Sequence, residues 1–171
     1  MKCVFPGLYE YRNISLSYDN IPEDVDVITL IITRWNSFDE RAALRDMFGS
    51  NNTSKILDYK VIFLFNWSSD ISEEDLGKIE RESDEFQDVL IPKVEDNYHN
   101  VGLKLLSSFN WINGIQDDLT KLKWIIKLDD DVIVNITMLD EYLRSNETFQ
   151  NAIHCHLSNW PDPIRRYDSK W

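Results

Sequence analysis

Apolar positions along the chain follow two rhythms. Val25–Arg34 and Tyr59–Trp67 are short, nearly continuous apolar runs rich in β-branched and aromatic residues, as expected of strands buried on both faces. Between them Phe38, Ala42, Leu44, Arg45 and Phe48 recur at mixed three- and four-residue spacings before Gly49, which predicts a helix over Phe38–Phe48. Ser72, with acidic Asp75 three positions later, reads as the cap of a charged helix running to about Phe86. Asp88–Ile91 is a short strand closed by Pro92. From Asn97, the residues Tyr98, Val101, Leu105, Phe109 and Ile112 form one apolar stripe at helical spacing. Lys123–Leu128 and Val132–Val134 predict strands on either side of three aspartates, Met138–Arg144 a helix, and Ala152–Leu157 a last strand. Strands alternating with helices imply a mostly parallel α/β sheet covered on both sides, with ligands held beyond the carboxyl ends of its strands.

Composition narrows the function. The 171 residues carry 18 Lys+Arg against 30 Asp+Glu, a net charge of −12. With 43% hydrophobic residues and six Trp, the chain has ample material for one packed domain. No basic stripe is available to offset phosphate charge, which argues against a nucleic-acid partner. No apolar run reaches the roughly 18 residues of a membrane span, and the opening Met1–Pro6 does not read as a signal peptide. Two cysteines, Cys3 and Cys155, leave the redox compartment open. Six N-x-S/T sequons, at Asn13, Asn51, Asn52, Asn66, Asn135 and Asn146, exceed the roughly 1.6 expected by chance. That excess leans toward a secretory lumen and toward a natural N-terminus lying further upstream. Residues 1–24 read as a polar lead-in and 25–171 as the domain proper.

The most informative chemistry is the run Trp124-Ile125-Ile126-Lys127-Leu128-Asp129-Asp130-Asp131-Val132-Ile133-Val134. Three adjacent carboxylates repel one another, and burying them unpaired costs several kcal/mol each. A solvated turn is one resolution. A divalent cation, turning repulsion into shared coordination, is the other. If the backbone stays extended, Asp129 and Asp131 share a side, and such an Asp-x-Asp pair suits Mg²⁺ or Mn²⁺ with positions left for phosphate oxygens. Two reactions use this arrangement: metal-assisted departure of a nucleoside diphosphate, or phosphoester hydrolysis with Asp129 as nucleophile. His154 and His156 could add ligands if their segment is a strand; a structural role is the alternative. Trp111 and Trp124 read as core, while Trp160 and Trp171 could stack on a sugar or cover a sheet edge. Glu141 reads as an exposed acid, paired with Arg144 three residues on.

Five blocks in order resemble glycosyltransferase family 31, the β-1,3-galactosyl- and N-acetylglucosaminyltransferases. Arg41–Gly49 is similar to R-x-x-I-R-x-T-W-G, Glu82–Leu90 to E-x-x-x-Y-G-D-I-L, and Asp96–Lys104 to D-S-Y-x-N-L-T-L-K. Lys127–Asn135 is similar to K-x-D-D-D-V-F-V-N, and Pro163-Ile164-Arg165 with Lys170-Trp171 to P-x-R followed by K-W. The resemblance implies a Rossmann-like GT-A fold, a manganese (or magnesium) cofactor and a UDP-sugar donor, UDP-galactose or UDP-N-acetylglucosamine. It further implies inverting transfer to a glycan acceptor on a glycoprotein or glycolipid, and a type II membrane protein of the Golgi. By residue matching, Asp131 and Asp129 would hold the metal, with Asp129 and Asp130 on the ribose or metal-bound water. Arg41 and Arg45 would lie near the nucleotide, Asp96, Tyr98 and Lys104 near the donor floor, and Arg165 would also serve the donor. For the two arginines an exposed helix face paired with acids stays open, as does a helix-capping role for Asp96. Met47, Phe48 and Gly102 depart from the pattern, which suggests altered donor choice or weakened activity. The family continues past its K-W block into an acceptor half that carries the catalytic base. The sequence therefore reads as a C-terminally truncated, donor-binding half with no base of its own. Whether it acts alone, is a pseudoenzyme fragment or is a phosphohydrolase stays open on sequence.

Overall fold

The computed structural model describes residues 20–49, 56–94, 98–115, 117–145 and 152–155, and of Tyr98 only the backbone. Among these residues four parallel strands, β1 (Val27–Ile32), β2 (Tyr59–Leu64), β3 (Val89–Leu90) and β4 (Trp124–Asp129), lie in the order β3-β2-β1-β4. The helices are α1 (Phe38–Gly49), α2 (Glu73–Phe86), α3 (Val101–Ile115, after a 3-10 turn at Tyr98–Asn100) and α4 (Ile136–Ser145). The expected α/β class and parallel sheet are therefore present.

Topology decides which helix covers which face. Right-handed crossovers carry the chain outward from β1 to β2 to β3, and α1 and α2 fall on one face. There Leu44 and Phe48 pack on Ile31 and Phe63, and Ile79 packs on Phe65 and Val89. The next crossover runs back past β1, so α3 falls on the opposite face, where Trp111, Ile112 and Ile115 cover Ile28, Leu30, Ile62 and Leu64. Helix α4 returns to the first face, with Leu143 against Val27 and Leu57. β1, central in the sheet, is buried almost throughout. Among the described residues β4 lies at the edge of the sheet: Trp124, Ile126 and Leu128 pack inward, while Ile125, Lys127 and Asp129 are exposed.

Local signals account for several boundaries. Ser72 Oγ accepts from Asp75 N–H (3.1 Å) and donates to the Asp75 carboxylate (2.7 Å), a reciprocal cap that starts α2. The helix stops at Gln87, which adopts the left-handed conformation (φ 49°) and returns its N–H to Ser83 C=O. Ile21, within the expected lead-in, is buried in the α3-side core, so the packed part of the chain begins before residue 25.

Three expectations change. Val132–Val134 is not a strand, because the backbone turns at Asp130–Asp131 and the segment gains no ladder partner. Instead Val134 packs beside Leu44 and Phe48, and its N–H donates to Met47 Sδ (3.3 Å). Ala152–Cys155 is also not a strand; His156 and Leu157, the rest of that expected strand, lie outside the described residues. In α3 the buried positions are Lys104, Ser107, Ser108, Trp111, Ile112 and Ile115. Phe109 is exposed, so the face turned to the sheet is rotated from the expected stripe.

Candidate functional site

The aspartates sit where strand order reverses, at the carboxyl end of β4 beside β1, a place where α/β sheets recurrently bind ligands. Asp129 closes the strand opposite Ile32 of β1. Its carboxylate is exposed and bonded to Lys127 Nζ at 2.6 Å. An exposed pair of this kind contributes about 0–1 kcal/mol, so a stronger ligand can displace it. Asp130 is held differently: the buried Thr33 hydroxyl, one residue past β1, donates to its carboxylate at 2.7 Å. Asp131, in the turn, is exposed, and among the described residues nothing bonds to its carboxylate. Strict alternation does not extend past Asp129. Even so, the turn leaves the first and third carboxylates outward and ties the second to the neighbouring strand.

Among the described residues no three His, Cys, Asp or Glu side chains converge on one point. A hard divalent cation of the magnesium type needs only one or two carboxylates when phosphate oxygens and water complete its shell. Two exposed carboxylates flanking an anchored third fit that requirement, and they do not fit a closed cage.

Arg41 has a place that neither sequence expectation described. It is fully buried, at 0% exposure, and each of its three guanidinium nitrogens donates a hydrogen bond. Nε and Nη2 grip both Glu82 oxygens (2.8 and 2.6 Å), while Nη1 and Nη2 donate to the carbonyls of Arg34 and Trp35 (2.7 and 3.2 Å). Arg45 continues the network, with Nε and Nη2 on Asp88 (2.7 and 2.8 Å) and Nη2 also on Glu82 (2.9 Å). Burial works to lower the Arg45 pKa, but the bonds to Asp88 and Glu82 outweigh it and raise it. Aromatic rings close the faces: Phe38 and Phe65 lie 4.7 and 5.2 Å from the Arg41 guanidinium carbon, Phe63 and Phe86 4.8 and 4.1 Å from that of Arg45. Arg41 thus presents no exposed donor in this structure; its bonds hold the turn after β1, the turn that begins with Thr33. An open hollow of about 620 Å³ lies beside Arg45, lined by Asp46, Gly49, Phe86 and Asp88, and no member of the aspartate triplet lines it.

The remaining candidates scatter. Lys104 is buried on α3. Asp96 and Arg165 lie outside the described residues, as do the side chain of Tyr98, the P-x-R and K-W blocks, Trp160 and Cys3. His154 bonds Tyr142 (Nδ1 to hydroxyl, 2.7 Å), and Cys155 is exposed. Arg144 bonds buried Asp140 (2.9 Å) in place of the Glu141 expected from sequence. Asp140 also accepts from the N–H groups of Ile56 and Leu57 (3.1 and 2.9 Å). Burial alone would raise its pKa, but these bonds together with Arg144 lower it. Sequence reasoning gave no role to Thr33, Glu82, Asp88 or Asp140. An available signal was a pair of arginines at i and i+4 on a helix face that must pack on a sheet, since a buried guanidinium requires an acid to meet it.

The sequence profile of the galactosyltransferases matches residues 39–171. Over 146 residues the chain is 28% identical to human β-1,3-galactosyltransferase 1, covering 85% of this chain and 43% of that protein. It is 26% identical over 155 residues to human lactosylceramide 1,3-N-acetyl-β-D-glucosaminyltransferase, covering 87% and 40%, and 25% identical over 145 residues to β-1,3-galactosyltransferase 5 of Pan paniscus, covering 85% and 46%. The chain thus spans under half the length of these relatives. Among the described residues no helix is long and apolar enough to cross a membrane.

Proposed function

The chain belongs to the galactosyltransferase family, and from that premise we propose that it is the donor-binding part of a hexosyltransferase. It would take a UDP-sugar, UDP-galactose or UDP-N-acetylglucosamine, for inverting transfer in β-1,3 linkage to a glycan on a protein or lipid in the Golgi lumen. One observation carries the reading: a strand-end Asp-Asp-Asp in which the outer carboxylates are exposed and the middle one is bonded to Thr33, one residue past the adjacent strand. Asp131 and Asp129 would hold Mn²⁺ or Mg²⁺. When bound, that cation offsets diphosphate charge and stabilises the leaving UDP. Asp130, fixed by Thr33, would keep the turn in register and face the ribose or metal-bound water. The network through Arg41 would support the turn from behind. Exchange of Asp129 from Lys127 to the cation would give the mouth a net attraction for a diphosphate that an anionic protein otherwise lacks. Asp96, Tyr98, Lys104 and Arg165 are proposed as further donor contacts on family matching alone, and Arg45 as lying near the nucleotide. No described residue is assigned as the base that takes the acceptor proton.

Calorimetric titration of the purified chain with UDP, with and without Mn²⁺, tests the reading. Saturable, manganese-dependent binding is expected, and Asp131→Ala should weaken it about tenfold or more. Absence of manganese-dependent binding up to the millimolar range would refute the donor-site assignment.

A further inference from the structure

The proposed donor site assigns no role to the six sequons, and the structure separates two of them. The other four, at Asn13, Asn51, Asn52 and Asn146, lie outside the described residues. Asn66, just past β2 beside the wholly buried Phe65, has 0% exposure. An oligosaccharide on its amide nitrogen could not be accommodated in this fold. Asn135 is the opposite case. It is exposed and stands immediately before α4. Its side-chain Oδ1 accepts from Met138 N–H (3.1 Å), and its backbone carbonyl from Leu139 N–H (2.9 Å), so it caps the helix. The cap uses oxygen alone. The amide nitrogen on the same planar carbon takes no part in it, and converting that nitrogen to a secondary amide leaves the accepting oxygen in place. On either side, Ile133 and Met138 are 98% and 65% exposed, apolar surface that a bulky, solubilising group would screen.

We propose that Asn135 carries an N-linked oligosaccharide and that Asn66 does not; the natural relevance of this rests on the lumenal location proposed above. The donor is a lipid-linked oligosaccharide diphosphate, used by the lumenal oligosaccharyl transferase. The Asn135 Nδ2–C1 bond forms, the sugar C1–O bond to the lipid diphosphate breaks, and one amide proton is released with that leaving group. Asn135 lies four positions past Asp131, so the glycan stands next to the mouth of the proposed donor site.

The test secretes the full chain from cultured animal cells behind a removable signal sequence, so that lumenal entry does not depend on its natural address. Enzymatic deglycosylation in ¹⁸O-water followed by peptide mapping marks each formerly modified Asn as heavy Asp. The mark is expected on the Asn135 peptide and not on the Asn66 peptide. Thr137→Ala, which removes the sequon and keeps the capping residue, should lose one glycan step in gel mobility. Ser68→Ala, which removes the Asn66 sequon, should lose none. An unmarked Asn135, or a marked Asn66 in the folded secreted protein, would overturn the proposal. Failure of manganese-dependent UDP binding alongside a marked Asn135 would remove only the transferase reading.

Discussion

Two charge clusters in this protein meet opposite conditions. Arg41, Glu82, Arg45 and Asp88 form a ladder of two cations and two anions within 2.6–2.9 Å of one another, enclosed by four phenylalanine rings. Asp129, Asp130 and Asp131 have one exposed lysine and one threonine hydroxyl between them. Burial demands that charge be matched within the fold, because an unpaired ion in a low-dielectric interior costs several kcal/mol. Solvent makes no such demand, so an unmatched cluster survives only at a surface, where it can act on something outside the chain. The ladder is therefore matched within the fold, whereas the triplet is the cluster left open to the binding proposed above. The turn at Thr33–Trp35 links the two, since Arg41 grips its carbonyls and Thr33 grips Asp130.

Substitutions can break or sharpen that contrast. Glu82→Ala should have the largest effect, leaving two guanidinium groups buried with one acid between them. Urea unfolding should show a loss of about 3–5 kcal/mol. Asp140→Asn removes a buried carboxylate bonded to two backbone N–H groups and Arg144, and should cost about 1–3 kcal/mol at neutral pH. Because bonding lowers the folded pKa of Asp140, its stabilisation is complete above the unfolded carboxylate pKa and is lost as pH falls through the lower folded value. The variant should therefore lose less stability than the parent between neutral pH and strong acid. Asp131→Ala should behave in the reverse manner to the ladder variants. Its melting midpoint should hold, while manganese-dependent UDP affinity falls about tenfold or more, equivalent to about 1.4 kcal/mol. Thr33→Val should be milder, costing about 1 kcal/mol of binding or stability, with Thr33→Ser restoring the parent value. Equal destabilisation by Asp131→Ala and Glu82→Ala in an unfolding experiment would erase the distinction.

The sheet was legible in the sequence because a buried strand leaves a short, β-branched and aromatic apolar run, as in Val27–Ile32 and Tyr59–Leu64. The triplet was legible because three carboxylates between two such runs have few stable settings. Val132–Val134 misled for a physical reason. β-branched residues mark any half-buried extended segment, whereas a strand needs a ladder partner, and here the turn at Asp130–Asp131 takes the backbone away from β1. The ladder was invisible locally, because Arg41 and Glu82 are 41 positions apart. Arg45 was counted into the face of α1 turned to the core and Arg41 was not, although Arg41 is the more deeply buried of the two. Their acids sit in the Glu82–Leu90 block, whose role emerged only when the two helices were brought together.

The corner at Gln87 bears on more than the end of α2. The family pattern has glycine there, and the positive φ of 49° gives the reason: an amino acid with a β-carbon resists that backbone handedness by roughly 1–2 kcal/mol. The next residue, Asp88, is one rail of the ladder. This chain thus keeps a spring slightly wound beside a carboxylate that the Arg45 guanidinium grips with two bonds. Gln87→Gly should let it relax and raise the melting temperature.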